Sequence, residues 1–154
     1  MQPQTFHTHS EEETIELGRR LAPELSGVVL LIGKLGAGKT TLTKGIVEGK
    51  GVVSADEVSS PTFTLIHQYG MGAEGTGLVF HIDLYRLDET REVETLGLDE
   101  LFSSGALVLL EWAERFPALL PADRTEVRLQ TREDDSREIT VRGFGAAGPP
   151  AGAC

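Results

Sequence analysis

Apolar and polar residues change their spacing several times along this chain, and each change marks an element. Leu17, Leu21 and Leu25 recur every fourth residue behind the polar segment Ser10-Glu11-Glu12-Glu13. That spacing predicts a helix with one buried stripe, ending before Gly27. Its start carries a capping box, in which the Ser10 hydroxyl accepts from the Glu13 N–H and Glu13 reaches back. Residues 28–32, Val-Val-Leu-Leu-Ile, are continuously apolar, as expected of a strand buried on both faces. A glycine-rich turn follows at 33–38, and 40–47 reads as a helix. Strands are predicted at 62–69 and 78–83, with Gly70, Gly72, Gly75 and Gly77 marking a flexible turn between them. Residues 89–102 read as helix, with Gly97 as its breaking point, and 106–111 as another apolar strand ending in an acid. Residues 125–131 and 137–142 alternate polar with apolar and predict an antiparallel hairpin near a sheet edge. Strands alternating with helices, then a terminal hairpin, predict an α/β sandwich with a mixed, partly parallel sheet. One domain is expected over 1–144, followed by a disordered Gly/Ala/Pro tail at 145–154.

Composition narrows this picture. The chain has 154 residues, with 40% hydrophobic and 25% charged, which suits one globular domain and argues against general disorder. The longest apolar runs, 28–32 and 106–110, fall far short of the ~20 residues that span a bilayer. The first 13 residues are polar and carry no signal-peptide pattern. Cys154 is the single cysteine, so no disulfide framework or cysteine metal cage forms within the chain. A soluble, cytoplasmic protein is the expectation. The net charge of −10 speaks against nonspecific binding to a nucleic-acid backbone. That charge is uneven: all four lysines, Lys34, Lys39, Lys44 and Lys50, lie within 28–52, where Glu48 is the only acid. A basic island in an acidic chain suggests a local anion site; a solvated helix face is the plainer alternative.

The island coincides with Gly33-Lys34-Leu35-Gly36-Ala37-Gly38-Lys39-Thr40, which matches G-x-x-x-x-G-K-[ST], the phosphate-binding loop. The chemistry explains the spacing. A buried strand turns tightly into a helix and leaves its backbone N–H groups facing a cup. Glycines permit the positive φ angles and the close approach of an anion. The helix beginning near Gly38 adds its dipole and unpaired N–H groups. Lys39 sets a cation against the outer phosphates, and the Thr40 hydroxyl suits Mg²⁺. An ordinary glycine turn would leave the adjacent Lys and Thr unexplained.

Phosphate chemistry on such a loop also needs acids at neighbouring strand tips. Asp83 ends the run Leu78-Val79-Phe80-His81-Ile82-Asp83, and Glu111 ends Ala106-Leu107-Val108-Leu109-Leu110-Glu111. His81 lies on the face opposite Ile82 and is read as structural rather than catalytic. Trp112 follows Glu111, either over a nucleotide or partner surface or simply as a half-buried aromatic. The segment Ser59-Ser60-Pro61-Thr62-Phe63-Thr64-Leu65 sits where nucleotide switches sense the γ-phosphate. A strand entry stiffened by Pro61 is the equal alternative. Several P-loop classes are absent by motif: there is no Asn-Lys-x-Asp base reader, no Leu-Ser-Gly-Gly signature, and no arginine-rich kinase lid.

Taken together, the loop from Gly33 to Thr41, Ser60-Pro-Thr-Phe-Thr-Leu65, His81-Ile-Asp-Leu-Tyr-Arg-Leu87 and Leu110-Glu-Trp112 resemble the bacterial TsaE family. The resemblance spans roughly residues 10–142. It implies a P-loop NTPase-like sandwich and a Mg²⁺-dependent ATPase, weak alone. That ATPase assists the TsaD and TsaB subunits in forming threonylcarbamoyladenosine in tRNA without transferring the group itself. Contact with tRNA would be indirect. It further implies that Gly33, Lys34, Leu35, Gly36, Ala37, Gly38, Lys39, Thr40 and Thr41 cradle ATP. Lys39, Asp83 and Glu111 would be catalytic, with Thr40, Glu111 and Asp83 on the metal side. Thr62 and Thr64 would form the switch, and Ser10 and Glu11 would lie by the adenine. One position departs from the family pattern: Lys34 stands where an Asp is usual. A small-molecule or nucleoside kinase, and a nucleotide-regulated binding module, are the competing classes.

Overall fold

The computed structural model describes residues 3–70 and 78–144. Seven strands form one sheet in the order β1-β7-β6-β2-β5-β4-β3. They are β1 (Gln4–Thr8), β2 (Val28–Ile32), β3 (Ile66–Tyr69), β4 (Val79–Asp83), β5 (Leu107–Glu111), β6 (Arg124–Thr131) and β7 (Arg137–Phe144). The central four, β6-β2-β5-β4, are parallel, and β3, β7 and β1 add antiparallel pairs on the two sides. This is the mixed α/β sheet that the alternation of elements predicts. The glycine turn at 70–77 and the tail at 145–154 fall, apart from Gly70, outside the described residues.

Two apolar layers sandwich the sheet because β2 and β5 are apolar on both faces. Val29, Leu31 and Leu109 pack with Leu17, Leu21, Leu42 and Ile46 of α1 (Glu11–Leu21) and α2 (Lys39–Gly49). Val28, Leu30, Val108 and Leu110 pack on the other face with Val93 of α3 (Thr90–Glu94) and Leu98 of α4 (Leu98–Phe102). The expected helix at 89–102 is therefore two, split at Gly97, whose φ of +71° suits glycine. α1 and α2 approach closely enough that a Cβ on Gly45 would sit 1.9 Å from the Ile15 carbonyl oxygen.

Several elements differ from the pattern. β1 is unforeseen: it is an edge strand with one apolar residue, Phe6, opposite Ile139, so it carries no alternation. The β6–β7 hairpin stands near the sheet edge as expected, with β6 against β2 and β7 covered by β1. α1 stops at Leu21, and Pro23 turns the chain into a short 3₁₀ segment, although Leu25 still reaches the core. At its other end Ser10 accepts from the Glu13 N–H at 3.0 Å, while Glu13 reaches back to the N–H of His9 at 2.7 Å rather than that of Ser10. The expected strand at 62–69 begins only at Ile66. Leu65 holds a left-handed φ of +73° and its N–H closes a turn onto Pro61, so 62–65 coils above the sheet. No helix among the described residues is long and apolar enough to cross a membrane.

Candidate functional site

The site sits at the carboxyl ends of the parallel strands, where such sheets bind ligands. β2 ends at Ile32 and the chain turns through Gly33–Gly38 into α2. Gly36 and Gly38 have φ of +81° and +106°, which side-chain-bearing residues adopt at a cost. Gly33 allows another close approach, since a Cβ there would lie 2.7 Å from the Leu129 carbonyl oxygen. The start of α2 has no side-chain cap, and Gly38, Lys39, Thr40 and Thr41 line an open cup. A cavity of about 490 Å³ opens there, within the range of small-ligand sites.

Parallel register brings the two strand-tip acids together. Asp83 and Glu111 are directly opposed on β4 and β5, 2% and 3% exposed, and both line the cavity. Asp83 gathers four residues: its Oδ2 accepts from Thr62 Oγ1 at 2.9 Å and Ser60 Oγ at 3.2 Å, and its Oδ1 from the Tyr85 N–H at 2.9 Å. The Asp83 N–H donates to the Leu65 carbonyl at 2.9 Å, so strand tip and coiled segment are tied at both levels. Glu111 Oε2 accepts from Thr40 Oγ1 at 3.3 Å and is bonded to His81 Nε2 at 2.6 Å.

Lys39 is buried at the floor. Its ammonium donates to the Gly33 and Lys34 carbonyls and stands 3.9 Å from the centre of the Trp112 ring. Burial pushes its pKa down, against the pull of Glu111, Glu114 and Asp83. Trp112 holds a left-handed φ of +66°, and its ring lies 5.0 Å from that of Tyr85.

Leu35, Gly36, Gly38, Lys39, Thr40, Thr41, Thr62, Asp83, Glu111, Trp112 and Glu11 all line this one cavity. Gly33 and Lys34 contribute carbonyls beneath it, Ala37 is buried in the core, and Thr64 is exposed and outside the lining. Lys34 projects into solvent rather than into the cup.

Sequence reasoning misses several contributors. Arg137, from the start of β7, donates to the Gly36 carbonyl at 3.3 Å and to that of Asp135 at 2.7 Å, and both residues line the cavity. Only the β6–β7 turn, closed by the Arg132 N–H on the Ser136 carbonyl at 2.8 Å, brings them there. No local spacing signals it. Glu114 is half-buried near Lys39, its carboxyl pushed above the usual range mainly by burial. Ser60 and Tyr85 were legible within their motifs but not as partners of Asp83.

The oxygen donors of Thr40, Asp83 and Glu111 are hard ligands of the kind Mg²⁺ takes. Among the described residues no group of three or more His, Cys, Asp or Glu is arranged to hold a metal alone.

The TsaE family model, described as threonylcarbamoyl adenosine biosynthesis protein TsaE, matches residues 8–139. A Bacillus subtilis protein named tRNA threonylcarbamoyladenosine biosynthesis protein TsaE is 39% identical over 142 residues, covering 91% of this chain and 85% of that protein. A Streptomyces coelicolor protein of the same name is 43% identical over 137 residues, covering 84% and 90%. The crystal structure of Bacillus subtilis YdiB superposes with a TM-score of 0.74 at 34% identity, covering 94% of this chain and 87% of that one. The resemblance read from four motifs thus extends across the sheet and both flanking layers, and the chain belongs to the TsaE family.

Proposed function

We propose that this chain is a Mg²⁺-dependent ATPase that supports the TsaD and TsaB subunits in forming threonylcarbamoyladenosine in tRNA, without transferring the group itself. The observation that carries the reading is convergence. The Lys39 ammonium, the Thr40 hydroxyl and the Asp83 and Glu111 carboxylates meet in one cavity at the start of α2.

Each part has a chemical task. The N–H groups of the loop and the α2 terminus hold the phosphates. Lys39 exchanges the carbonyls of Gly33 and Lys34 for phosphate oxygens, a stronger charge-assisted bond. Arg137, already on the loop at Gly36, offers a second cation at the same cavity. Thr40 with Glu111 and Asp83 would hold Mg²⁺, which when bound neutralises charge developing on the transferring phosphoryl group. Asp83 and Glu111 orient the attacking water. Because Thr62 and Ser60 both donate to Asp83, the 59–65 segment responds to what occupies the γ-phosphate end.

Large apolar residues stand exposed around this mouth: Leu35 at 75%, Phe63 at 82% and Tyr85 at 44%. Exposed apolar groups beside a polar cleft suit a protein partner that covers it. Such a partner would exclude water and complete the site, which fits weak hydrolysis by the isolated chain.

The test is calorimetric binding of ATP·Mg²⁺ and steady-state hydrolysis, with and without the transferase subunits. Lys39→Ala should weaken nucleotide binding by about tenfold or more, the loss of one strong charged contact. Asp83→Asn and Glu111→Gln should retain binding and lose hydrolysis by about a hundredfold or more. A wild-type chain that binds no ATP·Mg²⁺, or acid variants that turn over normally, would contradict the reading.

A further inference from the structure

His81 is the one fully buried ionisable group at this site whose purpose packing alone does not explain. It is 0% exposed, on β4 two residues before Asp83, so the two side chains share a face. The parallel register sets His81 opposite Leu109, two residues before Glu111, on that same face. From there the ring reaches the carboxylate diagonally, with Nε2 2.6 Å from Glu111 Oε2. Its Nδ1 is buried with no hydrogen-bond partner. An apolar side chain would avoid that unsatisfied nitrogen, so the bond to Glu111 is what the imidazole supplies.

We propose that His81 is a positioning residue for Glu111, an inference that rests on the ATPase reading above. An ionised Glu111 only accepts, so the ring donates through Nε2–H. Oε2 then carries two donors, His81 Nε2 and Thr40 Oγ1, one from the neighbouring strand and one from the first turn of α2. Those two anchors fix the plane of the carboxylate and leave Oε1 as the oxygen Glu111 offers to a water. Ligand-orienting partners of this kind typically change activity by about 10–100-fold when removed.

The experiment compares His81→Leu, which has no donor, with His81→Gln, whose amide nitrogen keeps one. Both are measured in the full chain with the transferase subunits, for kcat, KM and ATP·Mg²⁺ affinity, and both are combined with Glu111→Gln. His81→Leu should lower kcat about 10–100-fold, leaving KM and affinity within about twofold. His81→Gln should recover most of the rate. In the Glu111→Gln background, His81→Leu should cost less than about twofold more, since residues acting as a unit are not additive. Wild-type kcat in His81→Leu, no advantage of Gln over Leu, or full additivity with Glu111→Gln would overturn the proposal. If His81→Leu does not fold, His81→Phe takes its place. Failure of both to fold while Glu111→Gln folds assigns His81 a structural role and also overturns it. A wild-type chain that hydrolyses no ATP defeats the ATPase reading, whereas wild-type hydrolysis indifferent to His81→Leu defeats this inference alone.

Discussion

Lys39 rests on carbonyls of its own loop and on the Trp112 ring, partners that a phosphate can replace. Three acids draw on it: Glu111, Glu114 and Asp83. Glu114 is costly to keep charged. Its Oε1 is buried without a hydrogen-bond partner, and burial raises its pKa above the ordinary 4.5. The sign follows from linkage. A carboxyl whose folded pKa is raised destabilises the fold once ionised, so the penalty is absent below about pH 4.5, grows through the raised folded value and is full above it. Glu114→Gln should therefore raise Tm at pH 7, and the gain should shrink toward zero below pH 4.5. Thermal melts of both proteins from pH 4 to 8 would check this, and a gain independent of pH would assign the effect to packing.

At the scale of elements, α1 and α2 cross in close contact on the face where the Gly33–Gly38 turn enters α2. Gly18 and Gly45 meet backbone to backbone, and Cβ atoms there would lie 2.5 Å and 1.9 Å from carbonyl oxygens of the other helix. Since these obstacles are backbone, Gly45→Ala must push α2 away from α1. The expected cost is about 3 kcal/mol of stability, on the order of 10 °C in Tm. A melting curve that moves by less than a degree or two would show the helices separating freely. Much of this architecture is legible in the sequence where one segment decides its own fate. Residues 28–32 and 106–110 are apolar throughout, and the glycine spacing of 33–40 dictates the cup. Asp83 and Glu111 were recognisable as strand-tip acids, and parallel pairing then set them side by side. What was not legible depends on distant partners. Leu65 takes its left-handed turn where its carbonyl meets the Asp83 N–H, β1 is defined by β7, and Arg137 reaches Gly36 across 101 residues of chain. His81 looked structural because its alternation is that of any buried strand residue; only the register reveals Glu111 beside it.

Across the whole molecule, charge and apolar exposure separate. The chain carries −10 overall while its four lysines cluster on and around the phosphate loop and α2. Phosphate backbones bind through many released counterions and so need a broad basic face, which this balance does not supply. Filter binding or mobility shift of the isolated chain with tRNA at physiological salt should show no strong complex; tight binding would contradict an indirect role. Leu35, Phe63 and Tyr85 instead leave exposed apolar groups that, on the proposed function, a protein partner would cover. The most direct test of the central claim is threonylcarbamoyladenosine formed in tRNA by TsaD and TsaB under multiple turnover, with ATP and this chain added as wild type or as Lys39→Ala. Sustained turnover with the wild type and arrest near the level without the chain for Lys39→Ala is the predicted result. Equal product from both would contradict it.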